Sequence, residues 1–174
     1  FIEAEDPEYC VQVINYLAKE YIPKVHGIDP MKDLQVMSPM HNGKGGITHL
    51  NKELQEVLNP KAEAKSRLAS SYGIEPIDIE PGKYEPAEIE YSDITYRHGD
   101  KVIQKSNDYD KLVFNGETGF IKAIAKDSSC LTIDFGQVVE YAKDELSEVQ
   151  HAYAISVHKS QGSEYPIVIL LLIK

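Results

Sequence analysis

The most constraining stretch of this chain is near its end. A short β-prone segment, Ala154-Ile155, enters the polar loop Ser156-Val157-His158-Lys159-Ser160-Gln161-Gly162-Ser163-Glu164-Tyr165-Pro166, and the unbroken apolar run Ile167 to Ile173 follows. That run is the longest in the chain, and its seven residues fall far short of the roughly 20 needed to cross a bilayer. It reads instead as a buried strand. Strand, polar loop, buried strand is the way α/β proteins build sites, with the sheet as scaffold and the chemistry on the loop at a strand end. Within nine residues the loop offers hydroxyls, an imidazole, an amide, a flexible glycine and a carboxylate.

The start of the chain has the same texture. Asp6-Pro7 is a helix start, a capping carboxylate followed by proline at the first helical position. Cys10, Val13, Ile14, Leu17, Ala18 and Tyr21 then fall on one helical face that is expected to end near Pro23. Leu34 to Met37 reads as a short strand, Ser38 to Gly46 as a loop, and Thr48 as the cap of a helix carrying Leu50, Leu54, Val57 and Leu58 on one face. From Lys61 to Thr95 the pattern dissolves. Pro76, Pro81 and Pro86 and seven acids between Ile74 and Thr95, against the single base Lys83, predict a linker or insertion with little regular structure. Four short strand candidates follow, Lys101–Gln104, Gly119–Ile124, Leu131–Phe135 and Val138–Tyr141, punctuated by Asn115-Gly116, Gly119 and Gly136. They predict a small closed or nearly closed β-barrel inserted into an interrupted α/β domain.

Cys10 and Cys130 have no CxxC neighbour and the six histidines lack metal-ligand spacing, so reduced thiols in the cytoplasm are expected rather than a disulfide or zinc site. No signal peptide is visible, and both ends look cut from a longer protein. The formal net charge of −10 argues against tight nucleic-acid binding, although the acid-rich segment and the first helix carry much of it. Residue by residue, the loop has two readings. Gly162 and His158 are a turn glycine and a polar cap; or Ser156 and His158 meet a nucleic-acid strand, Gly162 admits a phosphate and Glu164 accepts from a ribose hydroxyl. Ser38 to Gly46, with three glycines and Lys44, is either a plain connection or an anion cradle before a helix. Tyr109 and Phe114 are either packing residues of the barrel or base-stacking faces. No nucleophile set or paired-carboxylate site is present.

In register along the chain, three groups of residues resemble RecD-like superfamily 1 DNA helicases. Ser156 to Tyr165 resembles their motif V, with Ser156 where threonine is usual; Ser38-Pro39-Met40, Gly43, Gly46, Leu50-Asn51, Leu54-Gln55 and Leu58-Asn59-Pro60 resemble their motif IVa region. Gly99 to Gln104, Asn107 to Lys111 and Val113 to Gly116 resemble the start of the Src-homology-3-like barrel in their second motor domain. The resemblance implies a partial RecA-like domain of the P-loop NTPase type: residues 1–60, an acidic linker at 61–95, an SH3-like barrel at 96–148, and a return at 149–174. It implies ATP held by Gly162, Ser163 and Glu164, and single-stranded DNA met by Ser38, Met40, Asn51, Ser156, His158 and Gln161. It further implies 5′ to 3′ translocation in recombination or repair, a monomer with no membrane partner, and a first RecA-like domain elsewhere in the polypeptide. No Walker A loop, Walker B acid pair or arginine motif is present, so the ligands of Mg²⁺ are expected outside these residues and the fragment alone is expected to be inactive. Two rival classes stay open: a stand-alone single-strand-binding module and a protein–protein adaptor barrel.

Overall fold

The computed structural model describes residues 2, 6–61, 84–85 and 88–172. Most of the stretch expected to be an irregular linker, residues 62–83 and 86–87, lies outside the described residues.

Helix α1 (Pro7–Tyr16) starts as expected, with the Asp6 carboxylate accepting from the Glu8 and Tyr9 amides at 3.3 Å each. The expected stop near Pro23 does not occur. A π-helical turn (Leu17–Tyr21) leads into α2 (Ile22–His26), with the Ile22 amide donating back to the Leu17 carbonyl. Proline lacks an amide donor and crowds the carbonyl four residues before it, and a widened turn immediately upstream accommodates both. The buried face is Val11, Ile14, Ala18 and Ile22, while Tyr21, expected on it, is exposed. A single turn, α3 (Pro30–Asp33), leads into β1 (Leu34–Met37), and α4 (Ile47–Leu58) follows with Leu50, Leu54 and Leu58 buried. Thr48 sits inside the first turn of α4 and does not cap it.

The chain continues through β2 (Tyr84–Glu85), β3 (Glu88–Tyr91), β4 (Ile94–Arg97), β5 (Lys101–Gln104), β6 (Thr118–Ala125), β7 (Cys130–Asp134) and β8 (Val138–Ala142). A 3₁₀ segment (Lys143–Glu148) precedes β9 (Val149–His151) and β10 (Ala154–Ile155); a second 3₁₀ turn (His158–Ser160) precedes β11 (Ile167–Leu170). Two compact units result, one of Phe1–Leu58 with Ala152–Lys174 and one of Asn59–His151.

In the first unit β1 lies between β10 and β11, parallel to both, with Val36 opposite Ala154 and Leu34 opposite Ile167. Parallel neighbours need a crossover, and α4 supplies it between β1 and β10. This is the α/β layer the sequence predicts. The fully buried strand expected from Ile167 onward is corrected: β11 is an edge strand among the described residues, and Val168, Leu170 and Leu172 face outward, 45%, 49% and 67% exposed.

The second unit is antiparallel, with strand order β8-β7-β6-β5-β9, β2 added to β6, and a separate β3–β4 hairpin. The four expected strands are all present. Glu88 to Thr95, expected to be irregular, is structured instead: Ile89 and Tyr96 of the hairpin are fully buried, and Glu88 Oε1 accepts from Arg97 Nε at 2.8 Å. Apolar side chains at the facing positions outweigh the acids that made this stretch look like linker. The sheet does not close into a barrel among the described residues. The 3₁₀ segment, with Leu146 fully buried, spans from β8 to β9 where a ladder would have sealed it.

One carboxylate organises this unit. Asp100 is fully buried; its Oδ1 accepts from Asn59 Nδ2 at 2.7 Å, and its Oδ2 accepts from the Arg97 amide at 2.7 Å and lies 2.9 Å from His151 Nε2. A buried acceptor shared by three donors is costly to remove. Asp100→Ala is expected to lower stability by about 2–4 kcal/mol, read from urea unfolding of the whole chain, with Asp100→Asn less damaging.

Candidate functional site

The segment returning from the second unit is held residue by residue before the polar loop begins. Gln35 Nε2 donates to the carbonyls of Ala152 (3.1 Å) and Tyr153 (3.2 Å). The Asn51 side chain takes both bonds of Ala154, its Nδ2 donating to the carbonyl and its Oδ1 accepting from the amide, each at 2.9 Å. The Ser38 amide donates to the Ile155 carbonyl at 3.1 Å. Three polar side chains or amides on β1, its exit and α4 therefore fix four consecutive residues.

From there the loop folds on its own backbone. Ser156 Oγ accepts from the Lys159 amide at 3.2 Å, and the Ser156 carbonyl accepts from the amides of Lys159 and Ser160 at 3.1 and 3.2 Å. Ser160 Oγ donates to the Val157 carbonyl at 2.7 Å, and the Ser163 amide to the Ser160 carbonyl at 3.1 Å. Gly162 bends the chain with φ +84°, a conformation that strains any other L-residue, and space for a Cβ is open around it.

The residues singled out in the sequence fall into two groups. Ser38, Asn51 and Ser156 are buried, at 0%, 7% and 8% exposure, and spend their polar atoms inside the protein. Ser38 Oγ donates to the Gly45 carbonyl at 2.8 Å and accepts from the Met40 amide at 3.2 Å; Met40 is half-buried. His158, Gln161, Gly162, Ser163 and Glu164 are all exposed. The loop thus presents an imidazole, an amide and a carboxylate on one short, internally bonded turn, with a frame of buried hydrogen bonds behind it. Hydrogen bonding and stacking are within its chemistry, and Glu164 beside the open Gly162 backbone suits a hydroxyl donor. Among the described residues, no cluster of His, Cys, Asp and Glu that could hold a metal ion is present.

The anion-cradle reading of Ser38 to Gly46 is not met. The Met40 and His41 carbonyls accept from the Ile47 and Thr48 amides at 2.9 and 3.2 Å, so the first donors of α4 are already used. Lys44 is paired with Glu8. The loop closes on itself closely enough that a Cβ on Gly46 would come within 2.5 Å of the Asn42 backbone. Gln35 was missed at the sequence level. Its signal was present: a glutamine inside an otherwise apolar four-residue strand, which burial on both faces obliges to find partners.

Comparison with known proteins follows the same division. Residues 78–135 match the sequence profile of the ATP-dependent RecD-like DNA helicase SH3 domain, and residues 151–173 that of the UvrD-like helicase C-terminal domain. An ATP-dependent RecD2 DNA helicase from Deinococcus radiodurans is 35% identical over 140 residues, 80% of this chain and 16% of the relative. The RecBCD enzyme subunit RecD from Mycolicibacterium smegmatis is 32% identical over 74 residues, 42% of this chain and 13% of that protein. The chain therefore spans about a sixth or less of the curated relatives it matches. Among solved structures, Bacteroides Pif1 bound to ssDNA aligns over 95% of this chain and 42% of its own, with 15% identity and a TM-score of 0.42.

The two groups of residues should separate in experiment. Asn51→Ala is expected to cost about 2 kcal/mol and to speed amide hydrogen exchange at Ala154, whereas His158→Ala stays within about 0.5 kcal/mol of the parent. Equal destabilisation by the two would mean that the exposed turn is part of the frame.

Proposed function

We propose that this chain, whose sequence is related to the RecD-like DNA helicases, is a segment of the second RecA-like motor domain of an ATP-dependent helicase acting on single-stranded DNA. In this reading residues 1–60 begin the domain, an acidic stretch at 61–87 leads into the SH3-like insertion, which the β3–β4 hairpin opens and which runs to 148, and 149–174 return to the domain. The observation that carries the reading is the loop itself, an exposed polar turn mounted on buried hydrogen bonds to β1 and α4.

Each residue then has a task. His158 and Gln161 face the DNA strand, offering stacking and hydrogen bonds that do not depend on base identity. Ser156 carries the turn on which they sit, and Ser38 and Asn51 act by positioning, since their polar atoms are spent within the protein. Met40 adds a half-exposed apolar contact. On the other side Glu164 accepts from the ribose of ATP, with the Gly162-Ser163 backbone alongside. ATP supplies the free energy through phosphoryl transfer, and Mg²⁺ would be held by residues outside this segment. A short turn shared by two ligands couples them: a shift in the Glu164 end on nucleotide exchange moves the His158 end against the strand. Movement 5′ to 3′, work in recombination or repair, a cytoplasmic location and a monomeric state complete the proposal.

Fluorescence anisotropy of the 174-residue chain with oligothymidylate tests the DNA side. Affinity should fall with salt, and His158→Ala should weaken binding by about 3- to 10-fold, the loss of one stacking contact. Binding unchanged by His158→Ala sinks the assignment of that residue. A separate steady-state assay addresses the chemistry: no DNA-stimulated ATP hydrolysis is expected from the isolated chain, and a clear signal would overturn the view that the hydrolytic groups lie elsewhere.

A further inference from the structure

The seam between α1 and α4 in the first unit holds a polar cavity of about 200 Å³, which the helicase reading does not use. Glu8, Gln12 and Asn15 of α1 line it, as do His49 and Glu53 of α4. One ordered water needs only about 10–15 Å³ of such space, so the cavity has room for a small organic group. Helical spacing brings these residues together. Glu8, Gln12 and Asn15 recur at intervals of four and three, and His49 and Glu53 lie four apart, so each set forms a row along one side of its helix. Their apolar neighbours, Val11 and Ile14 on α1 with Leu50 and Leu54 on α4, are buried.

Polar rows that flank a helix seam ordinarily find partners. Here one pair forms: Lys44, which also lines the cavity from the loop before α4, is paired with Glu8. The side chains of Gln12, His49 and Glu53 make no hydrogen bond or ion pair among the described residues. Asn15 Oδ1 is shut off from water and accepts no hydrogen bond there either. A buried acceptor of that kind is costly until a donor reaches it. Four unspent polar side chains beside one cavity point to a ligand.

The charges and acceptors on the lining select its chemistry. Lys44 offsets Glu8, which leaves the half-buried Glu53 carboxylate uncompensated, so a cation is favoured over an anion. A guanidinium presents five N–H donors in one plane and no acceptor, and its fork fits the two oxygens of a carboxylate. The amide oxygens of Gln12 and Asn15 suit the donors that the carboxylate leaves free, and Val11 offers an apolar contact to the stem. An ammonium is a compact, strongly hydrated point charge and makes less of acceptors spread over two helices.

We propose that the cavity between α1 and α4 binds a guanidinium group, with Glu53 as its carboxylate partner and Gln12 and Asn15 as further acceptors. The test follows the amide resonances of the whole 174-residue chain during titration with agmatine, with the capped tripeptide acetyl-Gly-Arg-Gly-amide, and with the lysine form of that tripeptide. Saturable shifts centred on residues 8–15 and 44–53 are expected from a guanidinium probe, with the lysine tripeptide at least ~3-fold weaker than the arginine one. Tighter binding of the arginine tripeptide assigns the group to another protein's side chain; tighter binding of agmatine assigns it to a free small molecule. Glu53→Gln is expected to weaken binding by roughly 10-fold with the urea midpoint unchanged. Asn15→Ala should weaken it as well while holding or raising that midpoint, because its Oδ1 gives up no bond. Lys44→Met should strengthen binding about 3-fold by freeing the Glu8 carboxylate. No saturable shift at ~50 mM probe overturns the proposal, as does equal binding of the lysine tripeptide or indifference to Glu53→Gln. Weaker binding in Lys44→Met overturns it too, since that marks a site for an anion.

Discussion

The buried carboxylate of Asp100 is the constraint on which the second unit depends. It holds Asn59, the first residue of that unit, and His151, the last, so the unit begins and ends on one acceptor. Closing a long loop carries an entropic cost that grows only slowly with its length, so a few strong bonds at the closure suffice for an insertion of this size. The Arg97 amide, held by the same carboxylate, ties the hairpin of β3 and β4 to the closure, and Tyr96 reinforces it with a hydrogen bond from its hydroxyl to the Val149 carbonyl at 3.0 Å. Burial of a carboxylate is affordable only with such a full set of donors.

Within the first unit the corresponding problem is register. β10 is two residues long and follows the entire second unit, so strand pairing alone specifies its position poorly. Side chains supply what the ladder lacks. Gln35 reads the carbonyls of residues 152 and 153, and Asn51 reads both polar groups of residue 154. A slip of one residue would turn every following side chain to the opposite face and break all of these bonds together. The exposed turn at His158 inherits its precision from that grip, which is why the residues behind it matter although none reaches solvent.

Much of this was legible in the sequence. The strand at Leu34, the helix at Leu50 and the four strands from Lys101 follow from periodicity and turn residues, and the polar loop at Ser156 stood out by its chemical content. Four things were not legible, each for a physical reason. Pro23 stops an α-helix but not one that widens into a π-turn just before it, and local pattern does not reveal that widening. The acids of Glu88 and Glu90 masked a hairpin whose inward positions, Ile89 and Tyr96, fill the core from only one face. Type and spacing nominated Ser38, Asn51 and Ser156 as strand-contacting residues, but whether a polar side chain faces ligand or backbone is decided by tertiary packing, and here all three are buried and bonded within the protein. Gln35 went unnoticed because a single polar residue in a short strand looks like an interruption until the strand is known to be buried on both faces.

The charge of the chain takes on a different meaning once it is divided. Of the net −10, residues 59–151 hold −7, which leaves −3 for the unit that carries the polar loop. Most of the charge that would repel a phosphate backbone therefore belongs to the sequence of the second unit. Yet the loop itself offers little attraction: between Ser156 and Pro166 it has one lysine, Lys159, and one histidine, against Glu164. Counterion release scales with the number of phosphates neutralised, and so few cations give a shallow dependence on salt. A strand bound here would be held chiefly by stacking and neutral hydrogen bonds from His158 and Gln161. Such contacts are short-ranged and weak one at a time, so a strand held only by them would dissociate readily.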